Sequence, residues 1–282
     1  YKSKYMESVW WLLGQVYKKD LMYKGYTIQP YSPAAGTGLS THELNQPGCY
    51  QDVTDTTAVA QFKTVSSTLP EVLSSVSTDI DFLAWTTTPW TLPSNTALAV
   101  GKKIDYVLVE TYNQYTFKKI FIVLAKDLVG KQLSGKYKKA DALEHVQAYT
   151  EGDKKIPFYI HKEVKGADLV GVRYEQLFNF HVPAEDADKA FQVISGDFVT
   201  TTDGTGIVHT APTFGADDAL VAKAAGVPGL LVLDDTGKQV PLVDLQGRFR
   251  KEVSDDMFGF AGEYVKAEYL EGTCSFVPMT KL

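Results

Sequence analysis

A histidine and two adjacent carboxylates, His209, Asp217 and Asp218, stand close together in the segment 204–218, GTGIVHTAPTFGADD. Gly204 and Gly206 flank Thr205 and permit positive φ or the close approach of another group. Ile207 and Val208 are a short apolar run of strand type, His209 sits at its end, and Pro212 stops regular pairing. After Gly215 a helix-like run continues through Ala219, Leu220, Val221 and Ala222. A strand that delivers a histidine to a loop, followed by carboxylates in a first helical turn, makes polar groups converge on a cleft. The same residues admit a purely structural account. Asp217 and Asp218 would complement the helix dipole, and His209 would be a satisfied core histidine.

A second segment, 85–95, reads WTTTPWTLPSN. Three β-branched threonines favour an extended backbone, and Thr88, preceding Pro89, is pushed away from the α region. Alternation along a strand predicts Thr86 and Thr88 on one face and Thr87 on the other, between Trp85 and Trp90. An edge strand ending in a proline-stabilised loop would account for the threonines, but not for the density of tryptophan and proline around them.

Other chemistries find no footing. The five histidines, His42, His145, His161, His181 and His209, have no paired-ligand spacing, and Cys49 and Cys274 form no CxxC. The chain lacks a G-x-S-x-G nucleophile elbow and a phosphate-binding Walker loop. Neither a metal nor a cofactor is therefore expected. With 28 basic and 34 acidic residues the net charge is −6, so no general positive field recruits nucleic acid, and any such contact would have to be local or supplied by something outside this chain. Hydrophobic residues at 44% and charged residues at 22% fit a soluble globular protein. The two distant cysteines suggest a reducing, cytoplasmic setting, and no apolar run reaches the length of a membrane span. Because it starts on Tyr1, the chain is expected to be a piece of something longer.

The elements that must position these groups follow from periodicity. Tyr5, Val9, Leu12, Leu13, Val16 and Tyr17 recur at helical spacing, with Ser3 as cap and Gly25 as terminator. Prolines and glycines from 27 to 48 make a connector, in which AAGTGLS is a turn. Strands are predicted at 58–63, 81–88, 145–149 and 191–194, with a hairpin of 106–112 and 117–124 around Asn113 and Gln114. Short helices are predicted near 70–76, 125–130, 184–190 and 217–225, and a turn at Gln246 and Gly247. The fold class is mainly β with scattered helices, barrel-like, rather than a doubly wound sheet. Residues 1–45 form the helix and connector, 46–265 the main domain, and 266–282 a tail, of which 272–282 matches nothing.

Together the two segments closely resemble the editing domain of isoleucyl-tRNA synthetase, in the valyl, isoleucyl and leucyl group of class I synthetases. A third match is 166–178, GADLVGVRYEQLF, whose local reading is two glycine turns with apolar anchors. The resemblance covers about 57–265. Valyl and leucyl relatives usually carry Lys or Met at the place of His209, and a Thr-Thr-Arg-Pro strip at the place of 86–89. The chain departs from the family at Thr213 and Phe214, where Gly-His is common, and at Ala219, where an aromatic is common. It lacks the cysteines many members carry near 30–44, and the synthetase signatures His-Ile-Gly-His and Lys-Met-Ser-Lys-Ser.

The resemblance implies a post-transfer editing hydrolase that does not activate amino acids. Its substrate would be mischarged Val-tRNA(Ile), bound by the terminal adenosine, and its partner the remainder of the parent synthetase, with the chain a monomer. Thr86, Thr87, Thr88 and Asp218 would be the catalytic group. Asp218 would hold the substrate ammonium, His209 would gate the side chain, and Trp85, Thr91 and Asn95 would contact substrate. Two other readings stay open: a tRNA 3′-end-binding module without hydrolysis of its own, and a structural insertion.

Overall fold

The computed structural model describes residues 2–23, 28–33, 35–50, 52, 54–179, 181–253 and 259–266. In chain order the elements are α1 (Ser3–Lys18), β1 (Tyr31–Ser32), β2 (Thr37–Gly38), α2 (Thr41–Leu44), β3 (Ala58–Lys63), α3 (Glu71–Ser74), β4 (Asp81–Thr86) and β5 (Ala97–Val100). Next come β6 (Asp105–Tyr112), β7 (Lys119–Ala125), α4 (Val129–Gln132), β8 (Tyr137–Lys139), α5 (Leu143–Gln147), β9 (Ile156–Lys165) and α6 (Gly166–Leu169). The last are β10 (Gln192–Ser195), β11 (Ile207–Thr210), α7 (Ala216–Ala225), β12 (Val232–Leu233) and β13 (Gln239–Val240).

Among the described residues nine strands share one mixed sheet in the order β10-β5-β11-β4-β7-β6-β9-β8, with β3 attached to β4. Strand β4 is the branch point. One edge pairs antiparallel with β3 from Asp81 to Thr86. The other edge is divided: Asp81 and Phe82 run parallel to Ile122 and Val123 of β7, and Trp85 runs parallel to Val208 of β11. Hydrogen bonds tie the two branches together. Ala125 N donates to Thr205 O at 2.8 Å, and the Tyr106 hydroxyl accepts from Gly101 N at 3.1 Å while donating to Gly206 O at 2.6 Å. Gly206 has φ +74°, and a Cβ there would overlap the Ala125 methyl, so glycine is required at this seam.

Side chains alternate across the sheet as a period of two demands. Tyr106 and Leu108 of β6 enter one large core cluster with Phe62, Phe82, Val123 and Ile207; Val107 and Val109 enter a second on the opposite face with Leu83, Ile122 and Phe158. Strand β5 is likewise covered on both sides, Leu98 facing the large core and Ala97 and Ala99 packing with Ala222 of α7. The expected class, mainly β with scattered helices, is what forms. The described strands make an open path, however, with no pairing between the terminal strands β8 and β10. Dividing the edge of β4 between two partners separates the sheet into branches without joining its ends. The two strands at the ends of the path are short, three residues in β8 and four in β10, which limits the unpaired backbone they present; β3, six residues long and paired with β4 alone among the described strands, leaves a longer free edge.

Three local expectations fail. Residues 145–149 are not a strand: α5 lets Val146 reach the interior, and Tyr149, just beyond the end of that helix, packs against Tyr112 with ring centroids 4.6 Å apart. The expected helix at 184–190 shrinks to a single 3-10 turn, Ala187–Lys189. Ser3 lies inside α1 rather than capping it; Lys2 precedes the helix and no side chain caps it. Gly25 falls outside the described residues, as do 267–282. Strands β5, β8 and β9 were not anticipated. Pro157 and the charged residues of IPFYIHKEVK obscured β9, yet Pro157 pairs only with β8, and the β6 ladder spans Tyr159 to Lys165.

Candidate active site

Strand β4 stops at Thr86 because Pro89 has no N–H to continue a ladder. The chain instead enters a 3-10 helix, Pro89–Ser94, with Thr88 at φ −127°, ψ 68°. Departure from the strand overrides the alternation expected of the threonines. Thr86, Thr87 and Thr88 all line one cleft of about 660 Å³, joined by Trp85 and Thr91. Thr86 is buried and accepts the backbone N–H of Thr88 at 3.0 Å, which fixes the strip; Thr87 and Thr88 are exposed within the cleft. Burial of Thr91 is matched by its hydroxyl donating to Thr88 O at 2.9 Å.

The opposite wall comes from β11 and the turn that follows. His209 lies within β11, 6% exposed, and both ring nitrogens have partners. Asn95 Nδ2 approaches Nδ1 at 2.8 Å, and Thr91 Oγ1 lies 3.0 Å from Nε2. An amide NH2 donates, so Nδ1 accepts, and the proton resides on Nε2, assigned from this network. Thr91 can receive it because its own hydroxyl proton goes to Thr88 O. Burial depresses the His209 pKa to about 4, so the ring is neutral at physiological pH. The pair therefore runs opposite to a nucleophile and its base: imidazole donates to hydroxyl.

Asp218 sits in the first turn of α7 and folds back, its Oδ2 accepting Ala211 N at 2.8 Å. The other oxygen takes no hydrogen bond among the described residues. Gly215 makes room for this fold: a Cβ there would lie 2.7 Å from Oδ2. Partial burial raises the Asp218 pKa, the Ala211 hydrogen bond opposes this, and neighbouring Asp217 adds to it. Asp217 itself is exposed and outside the cleft lining.

Of the residues singled out from sequence, Trp85, Thr86, Thr87, Thr88, Thr91, His209 and Asp218 meet in the cleft. Asn95 does not line it; fully buried behind His209, it bonds Ala97 O at 2.8 Å as well as the ring. Sequence reasoning missed the remaining wall, formed by Trp90 and Phe214, whose rings meet edge to face at 4.8 Å, with Phe198, Thr200, Thr202 and Asp203. The threonine run directly before Gly204 was the available signal. Lys131 and Gln132 from α4 hold this rim, Lys131 Nζ on Asp203 Oδ1 at 2.6 Å and Gln132 Nε2 on Gly204 O at 2.7 Å. Among the described residues no three His, Cys, Asp or Glu gather as metal ligands, and no helix is long and apolar enough to cross a membrane. The cleft thus offers aligned hydroxyls, backbone groups and one desolvated carboxylate. Those groups suit holding a cationic amine and orienting water.

The family described as tRNA synthetases class I (I, L, M and V) matches residues 1–282. An isoleucine–tRNA ligase of Cytophaga hutchinsonii is 59% identical over 270 residues, 96% of this chain and 23% of that relative. One of Bacteroides thetaiotaomicron is 58% identical over 257 residues, 88% of this chain and 22% of the relative. The chain therefore spans less than a quarter of the length of these two relatives. Among solved structures it is similar to GlLeuRS-CP1, at 17% identity and TM-score 0.40, covering 61% of this chain and 65% of that one. It is also similar to the P. knowlesi cytosolic leucyl-tRNA synthetase editing domain, at 14% identity and TM-score 0.41, covering 60% and 63%.

Proposed function

The chain belongs to the class I tRNA synthetases, and on that premise we propose that it edits, hydrolysing the ester of valine mischarged to isoleucine tRNA. A pocket that accepts isoleucine gains only about 1–3 kcal/mol from one methylene, a limit for which isoleucine against valine in this very enzyme class is the standard illustration. A second site that admits valine and excludes isoleucine restores accuracy.

The observation that carries this reading is the pairing, in one cleft, of an uncharged His209 wall with the Asp218 carboxylate. A carboxylate made uneasy by burial gains from an incoming ammonium, which fixes the amino acid's α-amino end. His209, with both nitrogens turned to protein partners, presents ring atoms as a steric wall for the side chain. Thr86, Thr87 and Thr88 then supply hydroxyls and backbone groups around the ester, where they position water and stabilise the developing oxyanion. His209 does not serve as the base, since its Nδ1 already accepts a hydrogen bond and its pKa lies near 4. A ribose hydroxyl of the terminal adenosine is one route for the proton. The remainder of the parent synthetase would supply most of the tRNA contacts.

Single-turnover deacylation of Val-tRNA(Ile) and Ile-tRNA(Ile), by this chain and by the parent synthetase, tests the proposal. Valine should be released and isoleucine largely spared. Equal hydrolysis of both would sink the sieve, and binding without turnover in both proteins would favour a 3′-end-binding module.

A further inference from the structure

The geometry points to Gln132 as a positioning residue for the cleft, acting through the backbone of Gly204 to seat the indole of Trp85. Thr200, Thr202 and Asp203 of the cleft wall belong to the segment that joins β10 to β11. From Thr205 onward the sheet seam holds that segment, with Ala125 N on Thr205 O and the Tyr106 hydroxyl on Gly206 O. At its start Val199 packs with Ala97, Ala99 and Ala222. Between these anchors, among the described residues, 200–204 are hydrogen-bonded to no element but α4.

Helix α4 can act as a support because its apolar side is fixed: Val129, and Leu133 directly after the helix, pack with Leu83 and Ile122 on the sheet. Its two donors differ in weight. Lys131 Nζ meets Thr202 O at 2.8 Å and Asp203 Oδ1 at 2.6 Å, but the Lys131 and Asp203 side chains are 58% and 71% exposed, and a solvated pair of this kind contributes little. Gly204 is buried, and Gln132 Nε2 at 2.7 Å is the one partner its carbonyl has among the described residues. A carbonyl can only accept, so the amide must turn its NH2 to Gly204.

Gly204 serves the cleft by close approach. At φ +75° it carries no Cβ, and one placed there would lie 2.9 Å from Trp85 Cε3 and 3.3 Å from Cδ2. The glycine backbone is thus the surface against which the half-buried indole lies, and Trp85 lines the cleft. Without the Gln132 amide, the Gly204 carbonyl finds a partner only by leaving its buried place against the indole for water. Trp85 then loses its backing. That the rim bears on substrate rests on the editing reading; the contact of Gln132, Gly204 and Trp85 does not.

The test is 19F spectroscopy of the 282-residue chain labelled with 5-fluorotryptophan. Trp85→Phe assigns the resonance, and the exposed Trp10 and Trp11 are internal references. Gln132→Met keeps the length and bulk of the side chain and deletes the donor. It should shift the Trp85 resonance toward its position in the urea-unfolded chain, and Gln132→Lys, which restores a donor, should return it. In single-turnover deacylation of Val-tRNA(Ile), Gln132→Met should raise the half-saturating concentration by about 2- to 10-fold, the effect of one ordinary hydrogen bond, with the saturating rate within about 2-fold of wild type. Circular dichroism verifies folding. An unmoved Trp85 resonance in the folded Met variant refutes the assignment, and an unchanged half-saturating concentration in an active chain refutes its bearing on the cleft. A Lys variant that behaves as the Met variant is equally fatal, because shape rather than the donated bond would then be at work. Should Gln132→Met fail to fold, Gln132→Asn, one methylene too short to reach Gly204, takes its place with the same outcomes. A wild type that hydrolyses neither ester defeats the editing reading and leaves the resonance to judge Gln132.

Discussion

Strands β6 and β11 are both interior strands of one sheet, yet they are buried in different ways. From Tyr106 to Val109, β6 fills its surroundings with apolar side chains on both faces, and the Tyr106 phenol has two backbone partners; only towards its end does it bury polar groups, Glu110 against Lys119 and His161, and Thr111. Strand β11, the 3-10 turn beside it and the two residues after that turn bury His209, Thr210, Thr91, Asn95 and Thr96. Most of these polar groups are matched through the Tyr174–Asn95–His209–Thr91 chain. The hydroxyls of Thr96 and Thr210 are buried without a hydrogen-bond partner. An unmatched buried polar group costs about 1–3 kcal/mol. The difference teaches where the molecule stores stability and where it gives some up to keep polar groups in fixed orientation beside a cleft.

The sharpest test of that contrast is Leu108→Ala, at a fully buried position of β6. Deleting those methyl groups should cost about 2–5 kcal/mol in a urea melt, while the folded fraction keeps its preference for valine. A melt unchanged from wild type would break the comparison.

Asp218→Ala should weigh the other way: leaving the buried Ala211 N–H unpaired should cost about 1–3 kcal/mol or less in the melt, while deacylation slows by roughly 10- to 150-fold at subsaturating Val-tRNA, the range for a hydrogen bond to a charged group. Circular dichroism verifies folding, and an undiminished rate in the folded variant would remove Asp218 from the site.

Acid should probe the polar region specifically. His209 is held near pKa 4 when folded and has its ordinary value, 6.5, when unfolded. Above pH 6.5 neither state is charged, so nothing is lost. Below it the unfolded chain takes a proton that the folded chain refuses, and stability falls until about pH 4. At pH 5 the loss amounts to about 2 kcal/mol. Asp81, raised by burial to about 6, works oppositely, because the folded chain takes that proton first and gains stability as pH falls toward 3.8. The readout is therefore the difference between wild type and His209→Gln. Between pH 7 and pH 5 the wild type should lose stability that the variant keeps, and parallel profiles would contradict a neutral, desolvated His209.

The smallest effect is expected at the neighbouring carboxylate. Asp217→Ala removes an exposed group near the N-terminus of α7 and should cost about 1 kcal/mol or less, with deacylation nearly unchanged. An inactive Asp217→Ala chain would mean that the two carboxylates have exchanged roles.

What sequence alone determined was local and periodic. The β6–β7 hairpin, strand β4, helix α7 and the turn at Gln246 and Gly247 each follow from alternation, glycine or proline within a few residues, and each forms. The contents of the cleft were largely legible because hydroxyls, a histidine and a carboxylate were concentrated in two short segments. What only the tertiary structure decided was orientation and partnership. Thr87 joins Thr86 and Thr88 in the cleft because Pro89 ends the strand, a change of backbone path that alternation cannot foresee. Asn95 stands behind His209 rather than in the cleft because the pairing of β5 with β11 brings Thr210 opposite Ala97, which places a residue just before one strand behind a ring on the other. Tyr174, read in sequence as part of a structural segment, reaches Asn95 across 79 positions of chain. Strand β9 was missed because a proline and several charges obscure its pattern, and its partner β6 lies far away in sequence. Local chemistry selects the backbone, but the state of a buried histidine depends on which donors and acceptors the fold brings to its two nitrogens, and sequence spacing carries no record of that.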